Sequence, residues 1–231
     1  MKKIFLFISV LFVAIFLTAC SAEKRLEKAF EELEKVSYTM EGSMRVDFTV
    51  NYYGQTLSQT MVADMYMEID PEQSYIMTTM NGQTQEVYYK MDGEYVDVYT
   101  KNGEIWEYES EGLDDYLEES DIYFLDIEVK DVFEEEDGVW VGNGEKITEM
   151  LKISLDKVAE ELVGTGVSIE KMSVDKYNIE LKNNQISKLD IIISMKMSAN
   201  GMETTIKISM PMTINNVGKT LVTVPEGVEW K

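Results

Sequence analysis

Three methionine pairs, Met65 with Met67, Met195 with Met197 and Met210 with Met212, stand in M-x-M spacing. Thioethers so placed are soft ligands suited to Cu(I). In a strand, however, residues two apart share one face, and here that face is the apolar one. A flexible, Met-rich lining of a core or cavity is the better reading. Acidic runs at Asp114-Asp115, Glu118-Glu119 and Glu134–Asp137 offer oxygen ligands for Ca²⁺ or Mg²⁺. None has the D-x-[DN]-x-[DN]-G spacing, and all read as solvated turn residues. S-x-x-K occurs at Ser154–Lys157, Ser168–Lys171 and Ser173–Lys176, the spacing of a serine nucleophile and its lysine. The companion S-D-N and K-T-G motifs are missing. Gly218-Lys219-Thr220 ends like a phosphate loop, but Thr213 stands where the first glycine is required. The sequence therefore predicts no catalytic residue, no metal site and no cofactor.

Composition narrows the chemistry further. The chain has no histidine, so Ser-His-Asp and Cys-His nucleophiles are impossible, as are the usual zinc, copper and non-haem iron ligand sets. An enzyme would have to work with carboxylates, Lys or Tyr, and a non-enzymatic role is expected. The net charge of −22 repels nucleic acid, whose binding needs clustered Lys and Arg.

Cys20 is the only cysteine. Met1-Lys2-Lys3 supplies a positive start, and Ile4 to Leu17 is apolar except for Ser9. Leu17-Thr18-Ala19-Cys20 then matches the L-x-A-C lipobox of bacterial lipoproteins. An apolar run this short reads as a processed signal and not a spanning helix. The expectation is a cleaved signal over 1–19 and a lipid anchor on Cys20. The body would then be held at the extracytoplasmic face of the cell membrane.

These residues need elements to position them. Ala22, Leu26, Ala29, Phe30 and Leu33 fall on one helical face. From Val36 to Tyr52 alternate positions are apolar or aromatic, broken only by Gly42, and the interleaved set is polar, which predicts a strand with one buried face. A second strand runs to Ile69, before Asp70-Pro71. Shorter strands near Ser74–Met80, Gln83–Met91, Glu94–Thr100 and Glu104–Glu109 are joined by Asn81-Gly82, Asp92-Gly93 and Asn102-Gly103, the pairs that tight hairpins favour. Gly112 to Ser120 reads as a short acidic helix, Tyr123 to Val129 as a strand and Gly138 to Val141 as a hairpin arm. Gly144 to Val163 switches to helical period. Val167–Leu181, Ile186–Ser198, Met202–Ile214 and a short arm at Thr220–Val224 return to strand. Tyr88, Tyr89, Tyr95, Tyr99, Trp106, Tyr108, Tyr116 and Tyr123 crowd the middle of the chain and read as cross-strand pairs.

No Pro- or Ser-rich linker divides the chain, so residues 20–231 are expected to form one domain. It would be a mainly β, α+β fold: a single curved antiparallel sheet of about ten strands, longest at its two ends, with one continuous apolar face.

The lipobox, the opening Leu33-Glu34-Lys35-Val36-Ser37-Tyr38-Thr39-Met40 and the ending Thr213–Asn216 with Val222-Thr223-Val224-Pro225 resemble bacterial lipoproteins of the LolA-like superfamily, which includes the mycobacterial lipid-binding lipoproteins. The resemblance implies an unclosed β-barrel with helices at its mouth and, in some relatives, a cavity for acyl chains. It implies no catalytic residues. The expected ligand face comprises Met40, Met44, Phe48, Met61, Met65, Met67, Met195, Met197, Met210 and Met212. The expected partners are a membrane, through the lipid on Cys20, and a lipid or other apolar ligand, with a monomer favoured. The alternative is a cell-envelope interaction module, fully packed inside, that binds a protein or wall glycan.

Overall fold

Alternation over fifteen residues makes Tyr38–Tyr52 the first strand, β1. In chain order there follow β2 (Gln55–Asp70), β3 (Gln73–Met80), β4 (Gln83–Asp92), β5 (Tyr95–Asn102), β6 (Ile105–Gly112), β7 (Phe133–Glu136), β8 (Val139–Gly142), β9 (Val167–Lys182), β10 (Gln185–Ala199) and β11 (Met202–Asn215). Helix α1 spans 23–33, and α2 is described over 144–150. The computed structural model describes residues 23–112, 132–150, 167–199 and 201–226. Cys20, the acidic pairs at 114–119, the predicted strand at 123–129 and the predicted helix beyond residue 150 lie outside the described residues.

All eleven strands join one antiparallel sheet in the order β6-β5-β4-β3-β2-β1-β11-β10-β9-β8-β7. The first and last strands of the chain pair at its centre, and two meanders run outward from them. Among the described residues β6 and β7 stand at the two ends of the sheet and do not pair with each other, so the sheet is unclosed, as expected. The longest strands, β1, β2, β9, β10 and β11, stand together in the middle and not at the ends of the sheet. β1 and β11, far apart in the chain, meet there, which sequence order cannot show.

Sharp turns follow local chemistry. Asn81 and Gly82 both take positive φ, 52° and 77°, as a two-residue hairpin of this kind requires. Pro211 sits in β11, a central strand, and has no N–H for the ladder. The register between β1 and β11 lapses at Ser43 and Met44, opposite that proline. Gly42 is needed beside it, because a Cβ there would lie 2.2 Å from the Pro211 carbonyl oxygen.

Helix α1 lays Leu26, Ala29, Phe30 and Leu33 on one face of the long strands, termed here the inner face. Asn143 caps α2: its side-chain oxygen accepts from the amides of Glu145 and Lys146, each at 3.1 Å. Thr148 then ties α2 to β9, accepting from the Val174 amide at 2.8 Å. Ile147 enters the same cluster as α1, with Ile179, Ile186, Leu189 and Trp140.

Three expectations are corrected. The apolar surface is not one continuous face. Register parity puts Tyr75, Tyr88, Tyr99 and Tyr108 directly opposite one another across β3 to β6, on the outer face, away from α1. The wing of short strands thus packs apolar rings on the outer face as well, while Val96 on β5, 1% exposed, lies on the inner face. Second, Thr220–Val224 is not a strand. It is an irregular strap that seats Val222 against Tyr88 and Tyr99. Third, Glu134–Glu136 belong to strand β7, and only Asp137 occupies the turn.

Candidate functional site

Cross-strand pairing arranges the inner face of the long strands in rows. The first row holds Met67, Met40 and Ile214; the next holds Met65, Gly42, Met212, Leu189 and Ile179. The gap at Gly42 leaves the two methionines on either side of it room to pack. These rows lie beneath α1 and α2, where Met40 and Met212 are buried and Met65, Met67 and Met210 pack against the cluster.

The rows continue beyond the helices. Val174, Ile193, Ile208, Val46 and Met61 form one; Met172, Met195, Ile206, Phe48 and Gln59 form the next; Ile169, Met197, Thr204, Val50 and Leu57 follow, with Gln59 and Thr204 the polar members of these rows. Burial falls along this direction. Val46 is still buried, Phe48, Met195 and Met197 are half-buried, and Leu57 is 74% exposed. Five strands about 4.8 Å apart make this wall roughly 20 Å wide. All ten residues expected to line the ligand face share this inner surface. Met44 and Met61 bridge its covered and open parts.

No charged side chain stands on these open rows. The opposite surface of the same strands takes all the charge. Arg45 donates to Asp47 at 2.9 Å through both Nε and Nη2, and this holds the Asp47 carboxyl below its usual range. Lys196 pairs with Glu170 at 3.0 Å and Glu203 at 3.2 Å. Its bond to Glu170 foremost pushes the Lys196 ammonium up. Strict period-two alternation produces this division. The open rows offer dispersion contact and almost no hydrogen bonding, which suits an apolar chain and gives no group able to move a proton.

The outer face of the short strands is closed. Tyr75 donates to Glu86 at 2.7 Å, Tyr88 to Gln73 at 2.6 Å and Tyr108 to Asp97 at 3.0 Å. Glu86 also accepts from Lys101 at 2.5 Å, and that bond first, then Tyr75, holds its carboxyl low. The strap is fastened by the Thr223 amide to Glu68 at 2.5 Å and by the Gly218 amide to Ser37 at 2.6 Å. The tyrosine crowd is therefore structural in this wing, as its cross-strand spacing predicts. Tyr95 is exposed, and Tyr116 and Tyr123 lie outside the described residues.

Other sequence candidates do not assemble. Ser173 donates to Asp175 at 2.9 Å, while Lys176 pairs with Asp190; Ser168 meets Ser198 at 2.9 Å. Gly218-Lys219-Thr220 forms a turn, with the Lys219 amide bonded to the Asn216 carbonyl at 2.9 Å. Among the described residues no group of three or more His, Cys, Asp or Glu could hold a metal ion. Two clefts on the outer face, among the described residues, bear on the site. One, of about 330 Å³, is lined by Lys176, Asp190, Lys188 and Glu180; the other, of about 390 Å³, by Glu41, Asp64 and Tyr66. Ion pairs cross the first beside Leu189, Pro211 and Met212, and carboxylates rim the second beside Met65 and Met77. Ile206 and Ile208, which alternate with the methionines of β11 and share their face, complete the wall although the expected ligand face did not include them.

Together these features define an open, single-sheet β protein with a helix-covered core that runs out into an uncharged apolar wall. No family model matches the chain, and no curated protein matches it. Among solved structures it is similar to the ywiB protein from Bacillus subtilis, at 9% identity and TM-score 0.24, over 75% of this chain and 91% of that one. It is also similar to a DUF1329 family protein from Desulfovibrio piger ATCC 29098, at 10% identity and TM-score 0.27, over 90% and 95% of the two chains. A third is the LolA superfamily protein NE2245 from Nitrosomonas europaea, at 10% identity and TM-score 0.25, over 91% and 97%. Likenesses this distant assign no family, and the fold description stands on the chain's own strand order.

Proposed function

We propose that the chain is a non-enzymatic binding protein that holds a lipid or other apolar ligand on the open rows of its inner face, tethered to a membrane through Cys20. The observation that carries this reading is the continuity of Met44, Phe48, Met61, Met195 and Met197 with the covered core, half-exposed and with no charge among them. Methionine suits such a wall, because its unbranched thioether adapts to varied apolar shapes. The tether fits the geometry of α1. Only Ser21 and Ala22 separate Cys20 from the first described residue, Glu23. Arg25 pairs with Glu135 on β7 at 2.7 Å, which fixes where the helix begins.

Native mass spectrometry of the full chain, released from membranes by detergent, tests the ligand. A co-purifying lipid is expected in the wild type and its loss in Phe48→Glu and Met195→Glu. A lipid-free wild type would overturn the reading. Cys20→Ala should leave the membrane fraction, and unchanged retention would contradict the tether. The alternative, a fully packed module that presents its aromatics to a partner, gains nothing from the tyrosines of β3 to β6, which the strap and their own hydrogen bonds engage.

A further inference from the structure

Both terminal edges of the sheet carry acid: Glu107, Glu109 and Glu111 on β6, and Glu134 to Glu136 on β7. Charge on an edge strand discourages another strand from adding to it. A third edge lies inside the sheet. β3 pairs with β2 only from Ala63 to Asp70, whereas β2 begins at Gln55. The stretch 55–62 therefore has no neighbour on that side among the described residues. It reads Gln-Thr-Leu-Ser-Gln-Thr-Met-Val, with neither charge nor proline, in a chain bearing 43 Asp plus Glu. Its pairing with β1 is unbroken by any bulge, so its free backbone groups are regularly spaced. Leu57 and Val62 on it are 74% and 47% exposed.

We propose that this stepped edge pairs with the same edge of a second copy of the chain, antiparallel, about a two-fold axis perpendicular to the sheet at Gln59. Such an axis keeps each face on its own side and so pairs residues of equal parity. Gln59 then meets Gln59 of the second copy, Leu57 meets Met61, and Ser58 meets Thr60. Pairing can run from Thr56 to Val62 and stops where the β3–β4 turn begins beside Ala63 and Met80. The step is long enough for this register and no longer. Its lack of charge is what a second copy requires, since two molecules at −22 repel each other at any contact bearing their acids. Leu57 and Met61 belong to the inner face, so the pair would join two open walls into one. So short a pairing lies below the roughly 1,200 Å² of stable interfaces and makes a weak, reversible dimer. The pairing does not depend on the nature of the ligand.

Mild oxidation of membranes containing the full chain tests the register. Gln59→Cys should give a disulfide-linked dimer that wild type and Thr49→Cys do not. Leu57→Cys and Met61→Cys should cross-link when mixed and not separately. Two differently tagged full chains should also co-isolate, and more strongly at high salt, which screens their like charge. Gln59→Lys, at an exposed position, sets two like charges opposite each other and should cut co-isolation about five-fold, with unchanged circular dichroism. No cross-link at Gln59→Cys, co-isolation indifferent to Gln59→Lys, or capture of a different protein without a homotypic cross-link would each overturn the proposal.

Discussion

Beneath α1, Leu26, Ile147, Ile179 and Ile186 meet through hydrocarbon alone. Across the sheet, Tyr75, Tyr88 and Tyr108 bury their rings, and each sends its hydroxyl to a side-chain acceptor. Ring centroids of Tyr88 and Tyr99 stand 6.1 Å apart, and those of Tyr99 and Tyr108 5.1 Å. The tyrosine cluster is directional and finished: its rings are in contact and the strap closes its top. The cluster under α1 holds rings too, Phe133 and Tyr177 among them at 5.5 Å, but its aliphatic and methionine part is non-directional and runs on from Met40 to Met195 and Met197. Adaptable ligand contact therefore belongs to the long strands and rigidity to the short ones.

The largest test of this contrast is Ile179→Ala, fully buried in the aliphatic cluster, which should cost about 2–5 kcal/mol in urea unfolding. Val222→Ala removes two buried methyl groups from the strap and should cost about 2 kcal/mol, with loss of near-ultraviolet dichroism from the tyrosines it covers. Equal loss of that signal in Ile179→Ala at native stability would mean the wings are not separate clusters.

Acid should also divide the wings, and base should not. Glu86 on the outer face has its carboxyl lowered, by Lys101 first and Tyr75 second. Its contribution is present above the ordinary value of 4.5 and is lost as pH falls through its lower folded value. Acid should thus loosen the short strands first, read by tyrosine dichroism, and Glu86→Gln should remove that step. Tyr38, the first residue of β1, is pushed up to about 12 by burial, then by Glu34. Its contribution is full below the ordinary phenol value of 10.0 and is lost as pH rises through about 12. Burial also raises Tyr75 on the outer face and Tyr177 on the inner, so base should reach both wings together. The smallest effect on stability is expected on the open rows. Met195→Ser should change it by less than about 1 kcal/mol while lowering uptake of a fluorescent fatty acid. Undiminished uptake would separate the open wall from ligand binding.

Much of this was legible in the sequence because the signals were local. Alternation over Val36–Tyr52 and Met202–Ile214 located β1 and β11, and asparagine–glycine pairs marked hairpins. The spacing of Leu26, Ala29, Phe30 and Leu33 gave α1 its buried stripe. Parity alone put the ten expected ligand-face residues on one side of their own strands. The strand at Phe133–Glu136 was hidden because three consecutive glutamates look like a turn, and it forms because β8 pairs with it. The strap at Thr220–Val224 alternates like a strand, yet Val222 is captured by tyrosines distant in sequence.

By itself the sequence determined the strands, their wet and dry sides, and the absence of histidine chemistry, because each depends on residue type and near-neighbour spacing. Only the tertiary structure decided that β1 and β11 meet at the centre, that the tyrosines of the short strands close the outer face, and that β2 outruns β3. Those outcomes rest on which strand pairs with which and in what register, and pairing energy comes from contacts between residues far apart in the chain.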